Sequence, residues 1–268
     1  MAESGFDRAE LALLTETLRK TMAAATGPQL DTALVALGWP DLLAEWPELA
    51  VPLVFRLLGE TGAHAAVLDD VVRHAAGHAD PGPVPLPFAG EAWVVWERDG
   101  EPGAAVDEEL PLRTVAAGTE LPAQAIAAGR RALGWWLLGT GRAMLTLARG
   151  HALERTQFGR PLASFQAVRH RLAETLVALE GAEAALDTAE GELGALLGKA
   201  AAGQAALTAA RHCQQVLGGI GFTAEHDLHR HVRRTLVLDG LLGSTRELIR
   251  EAGAQIRTAG RAPRMAQL

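Results

Sequence analysis

The stretch Glu154–Glu174, ERTQFGRPLASFQAVRHRLAE, decides how the rest of the chain is read. Upstream of it, Ala125–Leu153 is apolar nearly all round, the pattern of a buried helix. Gly134, Gly139, Gly141 and Ala143 allow other helices to approach it closely. Gly159 followed by Pro161 stops that helix, and Ser164 is placed to cap the next one. Beyond it, Val168, Leu172, Leu176 and Leu179 recur at helical spacing. The stretch therefore reads as a helix exit, a tight turn and a helix entry. Two readings of its polar residues stay open on spacing alone. Arg155 near a helix C-terminus suits the helix dipole. Equally, the Arg155 guanidinium and the Phe158 ring together suit an anionic ligand with an aromatic part.

Working outward, residues 6–76 carry a helical pattern, with Trp39-Pro40 ending one helix and starting another. Asp80-Pro-Gly-Pro-Val-Pro-Leu-Pro holds four prolines in eight residues and reads as a semi-rigid extended connector. Glu91–Glu97 and Leu110–Ala116 read as short strands, with Arg98-Asp-Gly-Glu as a turn, in a zone of about three strands. That is far less chain than a closed barrel needs. Residues 182–211 hold a further helix or two, with Gly198 and Gly203 blurring the boundary. Ser244-Thr-Arg-Glu247 is a capping-box pattern opening the last helix. The expected fold is mainly α. A helical N-terminal domain spans 1–80, a connector with a strongly reduced β segment 81–120, and a C-terminal four-helix bundle 121–268.

Composition narrows the function. The 268 residues carry a net charge of −7, 49% hydrophobic and 21% charged residues, with mean hydropathy +0.09. This is an ordinary globular balance, without the basic face that nucleic-acid binding requires. Leu133–Leu138, the most apolar run, is too short to span a membrane. The single cysteine, Cys213, fits a reducing compartment, and MAESGFDRAEL is not a secretory leader. A cytoplasmic protein is expected.

A second glycine-rich stretch, Gln214-Gln-Val-Leu-Gly-Gly-Ile-Gly-Phe222, either closes a helix or exposes backbone N–H groups to a phosphate. Taken in order, ERTQFGRPLASFQAVRHRLAE and then QVLGGIGFTAE strongly resemble the C-terminal domain of the acyl-CoA dehydrogenases. The resemblance covers about residues 121–261 and extends more loosely to the N-terminal helices. It implies FAD as cofactor, with the adenosine diphosphate half of each FAD resting on a neighbouring subunit. The residues it assigns to that contact are Arg155, Gln157, Phe158, Leu162 and Phe165, with Gln215, Gly218 and Gly219.

The resemblance also locates the catalytic base, a carboxylate that takes the α-proton of the acyl thioester while hydride leaves the β-carbon. Its commonest address, at the start of the last helix, is Leu242 here, and leucine accepts no proton. The other address lies on the long preceding helix, where no Asp or Glu occurs from Ile126 to Leu153. Asp239 is the fallback, against its reading as a solvated turn residue. The segment that lines the flavin ring has no counterpart near 81–118. The expectation is therefore a degenerate subunit of an α2β2 acyl-CoA dehydrogenase, inactive alone. It donates half of an FAD site to a homologous partner that carries the base. An acyl-CoA, conceivably a bulky steroid side-chain thioester, is the substrate, and an electron-transfer flavoprotein the acceptor. Two alternatives stand beside it, a self-sufficient homo-oligomeric flavoenzyme and a flavin-free assembly subunit. His212, His226, His229 and His231 lack metal-site spacing, so no metal is expected. The basic run Arg230, His231, Arg233, Arg234 suits a CoA phosphate or, more simply, a solvated or interface helix face. Arg234 stands where the family usually has Asp.

Overall fold

The structure is a computed structural model that describes residues 6–77, 83–97, 107 and 109–261. Five helices come first: α1 (Arg8–Ala24), α2 (Pro28–Ala36), α3 (Trp39–Glu45), α4 (Pro47–Thr61) and α5 (Val67–Ala76). Their starts are local chemistry. Asp7 and Glu10 form a capping box at α1, and a proline occupies the first turn of α2, α3 and α4. Three short strands follow, β1 (Leu86–Phe88), β2 (Ala92–Trp96) and β3 (Leu112–Val115), in an antiparallel sheet of order β1-β2-β3. Trp96 pairs with Leu112 and Leu86 with Val94. The expected turn at 98–101 and the first part of the proline connector lie outside the described residues.

The helical half consists of α6 (Ala123–Glu154), α7 (Gln166–Asp187), α8 (Gly191–Leu217), α9 (Leu228–Gly240) and α10 (Thr245–Ala259). Between α6 and α7 sits a hairpin of β4 (Thr156–Gln157) and β5 (Arg160–Pro161), then a 3-10 turn at Leu162–Ser164. A second 3-10 turn, Gly218–Phe222, follows α8. Helix α6 is the central element, with α8 and α4 packed along it. The α4–α6 crossing is closed by glycines. A Cβ on Gly139 would lie 2.1 Å from the Arg56 carbonyl oxygen, and one on Gly59 2.4 Å from that of Trp136. At that distance no other residue fits. One continuous core results, running from Leu30, Phe55 and Leu58 through Trp96 and Trp136 to Leu238 and Leu242. It crosses all three expected segments. No helix among the described residues is long and apolar enough to cross a membrane.

Three local expectations are corrected. Gly198 and Gly203 lie inside α8, and the break falls instead at Thr188–Glu190. Gly203 is a contact point, since a Cβ there would lie 2.5 Å from the Asp239 carboxylate. Ser164 does not cap α7. It is occupied in the 3-10 turn, where its hydroxyl donates to the Pro161 carbonyl at 2.7 Å. Leu176 is 43% exposed, and the buried face of α7 runs instead through Thr175, Leu179, Ala182 and Leu186. Eight residues at about 100° each overshoot two full turns, so the stripe drifts off the face it started on. The capping box at Ser244 and Glu247 forms as expected.

Candidate functional site

Two places matter. Between α8, α9 and the start of α10 runs a groove of about 450 Å³ whose lining includes Gln214 and Thr245.

The first is the end of the bundle where α6 stops, α7 starts and α8 stops. Antiparallel helices with a short connection force these termini together. A small core under them holds Met144, Ala148 and Ala152 of α6 with Cys213, Val216 and Leu217 of α8, and Leu162 and Val168 pack against it. This brings the residues of the two motifs to one end. Phe158 and Gly159 form the two-residue hairpin turn with φ of 53° and 77°. Such a turn needs positive φ at both positions and favours Asn-Gly, so Phe158 is held in an unfavourable backbone conformation. Its ring is also 91% exposed, and Phe222 beyond the glycine turn is 68% exposed. The Phe165 ring stands edge-on to Phe158 at 6.1 Å, with the Arg160 guanidinium 4.3 Å over its face. Arg155, Gln157 and Gln215 are exposed, and none makes a side-chain hydrogen bond or ion pair with any described residue. At Gly218 and Gly219 a Cβ would meet nothing within 4 Å. The end therefore offers an unpaired guanidinium, free amides, open backbone and aromatic faces. These are the donors and surfaces a dinucleotide takes up.

The second place, the loop from Asp239 to Thr245, is the reverse. Leu242, at φ 56°, is 1% exposed. Its side chain lies on Gly129 of α6, where a Cβ would come within 2.5 Å of Leu242 Cδ1 and 3.0 Å of Val72. The base address and the α6 face opposite it thus pack on one another, apolar against apolar. Strand β1 covers them. The Ala89 N–H donates to the Gly240 carbonyl at 2.8 Å, the Leu242 N–H to the Pro87 carbonyl at 2.7 Å, and the Phe88 ring sits on Gly240. Glu247 accepts from the Gly90 N–H at 3.0 Å. This bond, with those from Ser244, draws its carboxyl down to about 2.

Asp239 is engaged as well. Its carboxylate accepts the Thr245 hydroxyl and the Thr245 N–H, the latter at 3.2 Å. Below it lies Lys199 of α8, fully buried, donating to the Asp239 carbonyl at 2.9 Å and the Gly243 carbonyl at 2.6 Å. Burial pulls Lys199 down to about 7, opposed by the Asp239 carboxylate. The fallback base is thus part of the scaffold of the loop. Nothing in the sequence marks Lys199, because its partners are carbonyls on another helix end.

Within the basic run, Arg234 is buried and Arg230 is paired at the surface. Arg234 is 3% exposed and paired with Asp107, with Glu109 at 3.2 Å and with the Ala63 carbonyl at 3.2 Å. Arg230 clasps Glu109 at 2.7 and 3.0 Å. These arginines pin the short middle segment to α9 and are not offered to a ligand. The histidines are likewise dispersed. His212 meets Thr175 and Arg171, and the His229 Nδ1 meets the His226 carbonyl. No group of three or more His, Cys, Asp or Glu side chains suited to a metal occurs among the described residues.

Comparison with known proteins fits this architecture. Residues 116–256 match the family model described as the acyl-CoA dehydrogenase C-terminal domain. A relative from Mycobacterium tuberculosis, acyl-CoA dehydrogenase IpdE2, is 36% identical over 122 residues, 44% of this chain and 38% of the relative. The chain thus spans well under half the length of that protein. Among solved structures, the Tcur3481–Tcur3483 steroid ACAD variant superposes with a TM-score of 0.72 at 18% identity, covering 94% of this chain and 99% of that one. The ChsE4–ChsE5 complex from Mycobacterium tuberculosis gives 0.70 at 19%, covering 97% and 99%. At these identities the likeness establishes the fold, and the family match covers more than half of the sequence. The chain belongs to the acyl-CoA dehydrogenase family.

Proposed function

We propose that this chain is the non-catalytic subunit of a heteromeric, FAD-dependent acyl-CoA dehydrogenase. One observation carries the reading. The base address is filled by buried Leu242 packed on Gly129, while the Arg155–Phe165 end stays open and without counter-ions. A site that cannot take a proton sits in the same chain as one built to receive an anion.

The open end fits the adenosine diphosphate half of FAD. Arg155 would face the diphosphate, and the open backbone at Gly218 and Gly219 would let it approach closely, with the Gly219 N–H as a donor that needs no side chain. Phe158 and Phe165 would present ring faces to the adenosine, Leu162 the apolar floor, and Gln157 and Gln215 amide contacts. The ring of the same FAD, with the base that removes the α-proton, belongs to a homologous partner in an α2β2 assembly. FAD supplies the hydride acceptor for α,β-dehydrogenation of an acyl-CoA. A bulky or steroid side-chain thioester is the substrate this reading favours, in line with the steroid enzyme among the structural neighbours. An electron-transfer flavoprotein would take the electrons onward. Exposed Phe158, in a conformation an isolated chain gains nothing from, supports a surface completed by another subunit.

Expression of the chain alone and with a homologous subunit that retains a carboxylate base tests this. A yellow assembly of two copies of each, beside a colourless lone chain, is the expected result by native mass and flavin absorbance. A yellow lone homo-oligomer that oxidises acyl-CoA would overturn it, and Asp239 would be the first residue to replace.

A further inference from the structure

His151 and His226 have so far no role. His151 lies on the last turn of α6, one turn before Arg155, whose N–H closes the helix on the His151 carbonyl at 2.9 Å. His226 lies between the glycine turn and α9. The two rings meet edge-on, with centroids 6.3 Å apart and planes at 87°. This contact brings the stretch that follows Gly218–Gly219 against the α6 end that carries Arg155. Here titratable side chains from the two regions touch, as Arg171 and His212 also do.

The protonation pattern is legible. The Leu228 N–H donates to His226 Nδ1 at 3.1 Å, so the proton of the neutral ring sits on Nε2. That Nε2–H has no partner among the described residues, and neither does the His151 ring. The charged groups nearby are Arg155 and Glu154 on the α6 side, and Glu225 and Asp227 flanking His226. Burial, then the His226 ring and Arg155, push His151 below its ordinary value, and Glu154 only partly offsets them. On the His151 ring itself Arg155 outweighs Glu154, while Glu225 and Asp227 flank His226.

We propose that His151 and His226 are ligands of a dinucleotide diphosphate, bridging the Arg155 hairpin and the glycine turn. His226 donates its Nε2–H to a phosphate oxygen, and His151 takes one proton from solvent as the dianion docks. No covalent bond changes. The chemistry is complementary, because Arg155 alone supplies one positive charge to a group that carries two, and the proton on His151 supplies the second. This inference rests on the reading of that end as an adenosine diphosphate site.

The test uses the full-length chain and ADP-ribose, whose doubly esterified diphosphate does not titrate between about pH 5.5 and 8.5. Calorimetry in buffers of different ionisation enthalpy reads affinity and proton uptake together. The expected result is affinity about fivefold tighter near pH 6 than near pH 8, with uptake of up to one proton. His151→Gln flattens that profile, while His226→Gln and Arg155→Ala each weaken binding at every pH and keep the slope. Binding that depends on Arg155 but is flat with pH, takes up no proton and ignores both histidine variants overturns the histidine assignment and leaves the diphosphate site standing. No binding of ADP-ribose at any pH overturns the site itself, and this inference with it. The proton count on the unaltered chain decides the matter even if a variant fails to fold.

Discussion

The Arg155 end of the bundle and the Asp239–Thr245 loop are opposites built from the same helices. At the motif end the Arg155, Gln157 and Gln215 side chains are exposed and unpaired among the described residues, and Phe158 stands in solvent at positive φ. At the loop end Leu242, Asp239, Lys199 and Glu247 have all found partners within the chain. The lesson concerns where selection for a site leaves its trace. Exposed polar groups are held by water and stay available to a ligand, whereas buried ones must find partners within the fold, as those of the loop have done. On the proposed function, the motif end is the ligand site and the loop end a scaffold.

The loop side of the comparison breaks most easily at Arg234. Arg234→Met strands buried Asp107, so unfolding by denaturant should show a loss of about 3–5 kcal/mol. A loss near zero would mean that the middle segment is not held by this pair. Leu242→Ala comes next. It opens a cavity over Gly129 and should cost about 2–4 kcal/mol, yet leave turnover of the assembled enzyme unchanged. Lost turnover with normal stability would put chemistry back at this address.

Titration sharpens the contrast further, since the strongly lowered groups sit in the scaffold. Burial and then Arg234 lower His64 and His231 from the ordinary 6.5 to about 4. Both rings stay neutral when folded but take up protons below 6.5 when unfolded. Their stabilisation is therefore complete above pH 6.5 and lost as pH falls towards 4. Lys199 works in a higher window, its contribution complete above 10.5 and lost as pH falls to about 7. Stability should thus climb from about pH 4 upward in two steps, and Lys199→Met should remove the upper one. The smallest effect belongs to the open end. Phe158→Asn relieves the turn and should stabilise the lone chain by up to about 1 kcal/mol while weakening flavin retention in the complex. Equal retention would show that the exposed ring contributes nothing across the interface.

How much of this could be read from the sequence follows from the range of the interactions. The helix exit and the glycine turn are set by residues within a few positions of one another and were legible, while the resemblance to the acyl-CoA dehydrogenases is what singled out Arg155, Phe158 and Gly218. The capping box at Ser244 was legible for the same reason. Lys199 was not, since its carbonyl partners lie 40 and 44 residues away. Nor was the Arg234–Asp107 pair, separated by 127 residues, which buries one arginine of a run that reads most simply as a solvated or interface helix face. Asp239 looked like a free turn carboxylate because Thr245 becomes its partner only when α10 folds back against α8. Gly198 and Gly203 looked like helix breakers because composition records glycine's flexibility but not the close approach it permits.

The central claim is that the open end of this chain holds part of a flavin whose chemistry belongs to a partner. It is tested most directly by co-purifying the chain, unaltered and as Arg155→Ala, with a homologous base-bearing subunit and measuring flavin per heterodimer at equal assembly. The account predicts one flavin for the unaltered pair and a flavin affinity weakened about tenfold or more for Arg155→Ala, with the assembly intact. Undiminished flavin in an intact Arg155→Ala complex would contradict it and leave this chain an assembly subunit only.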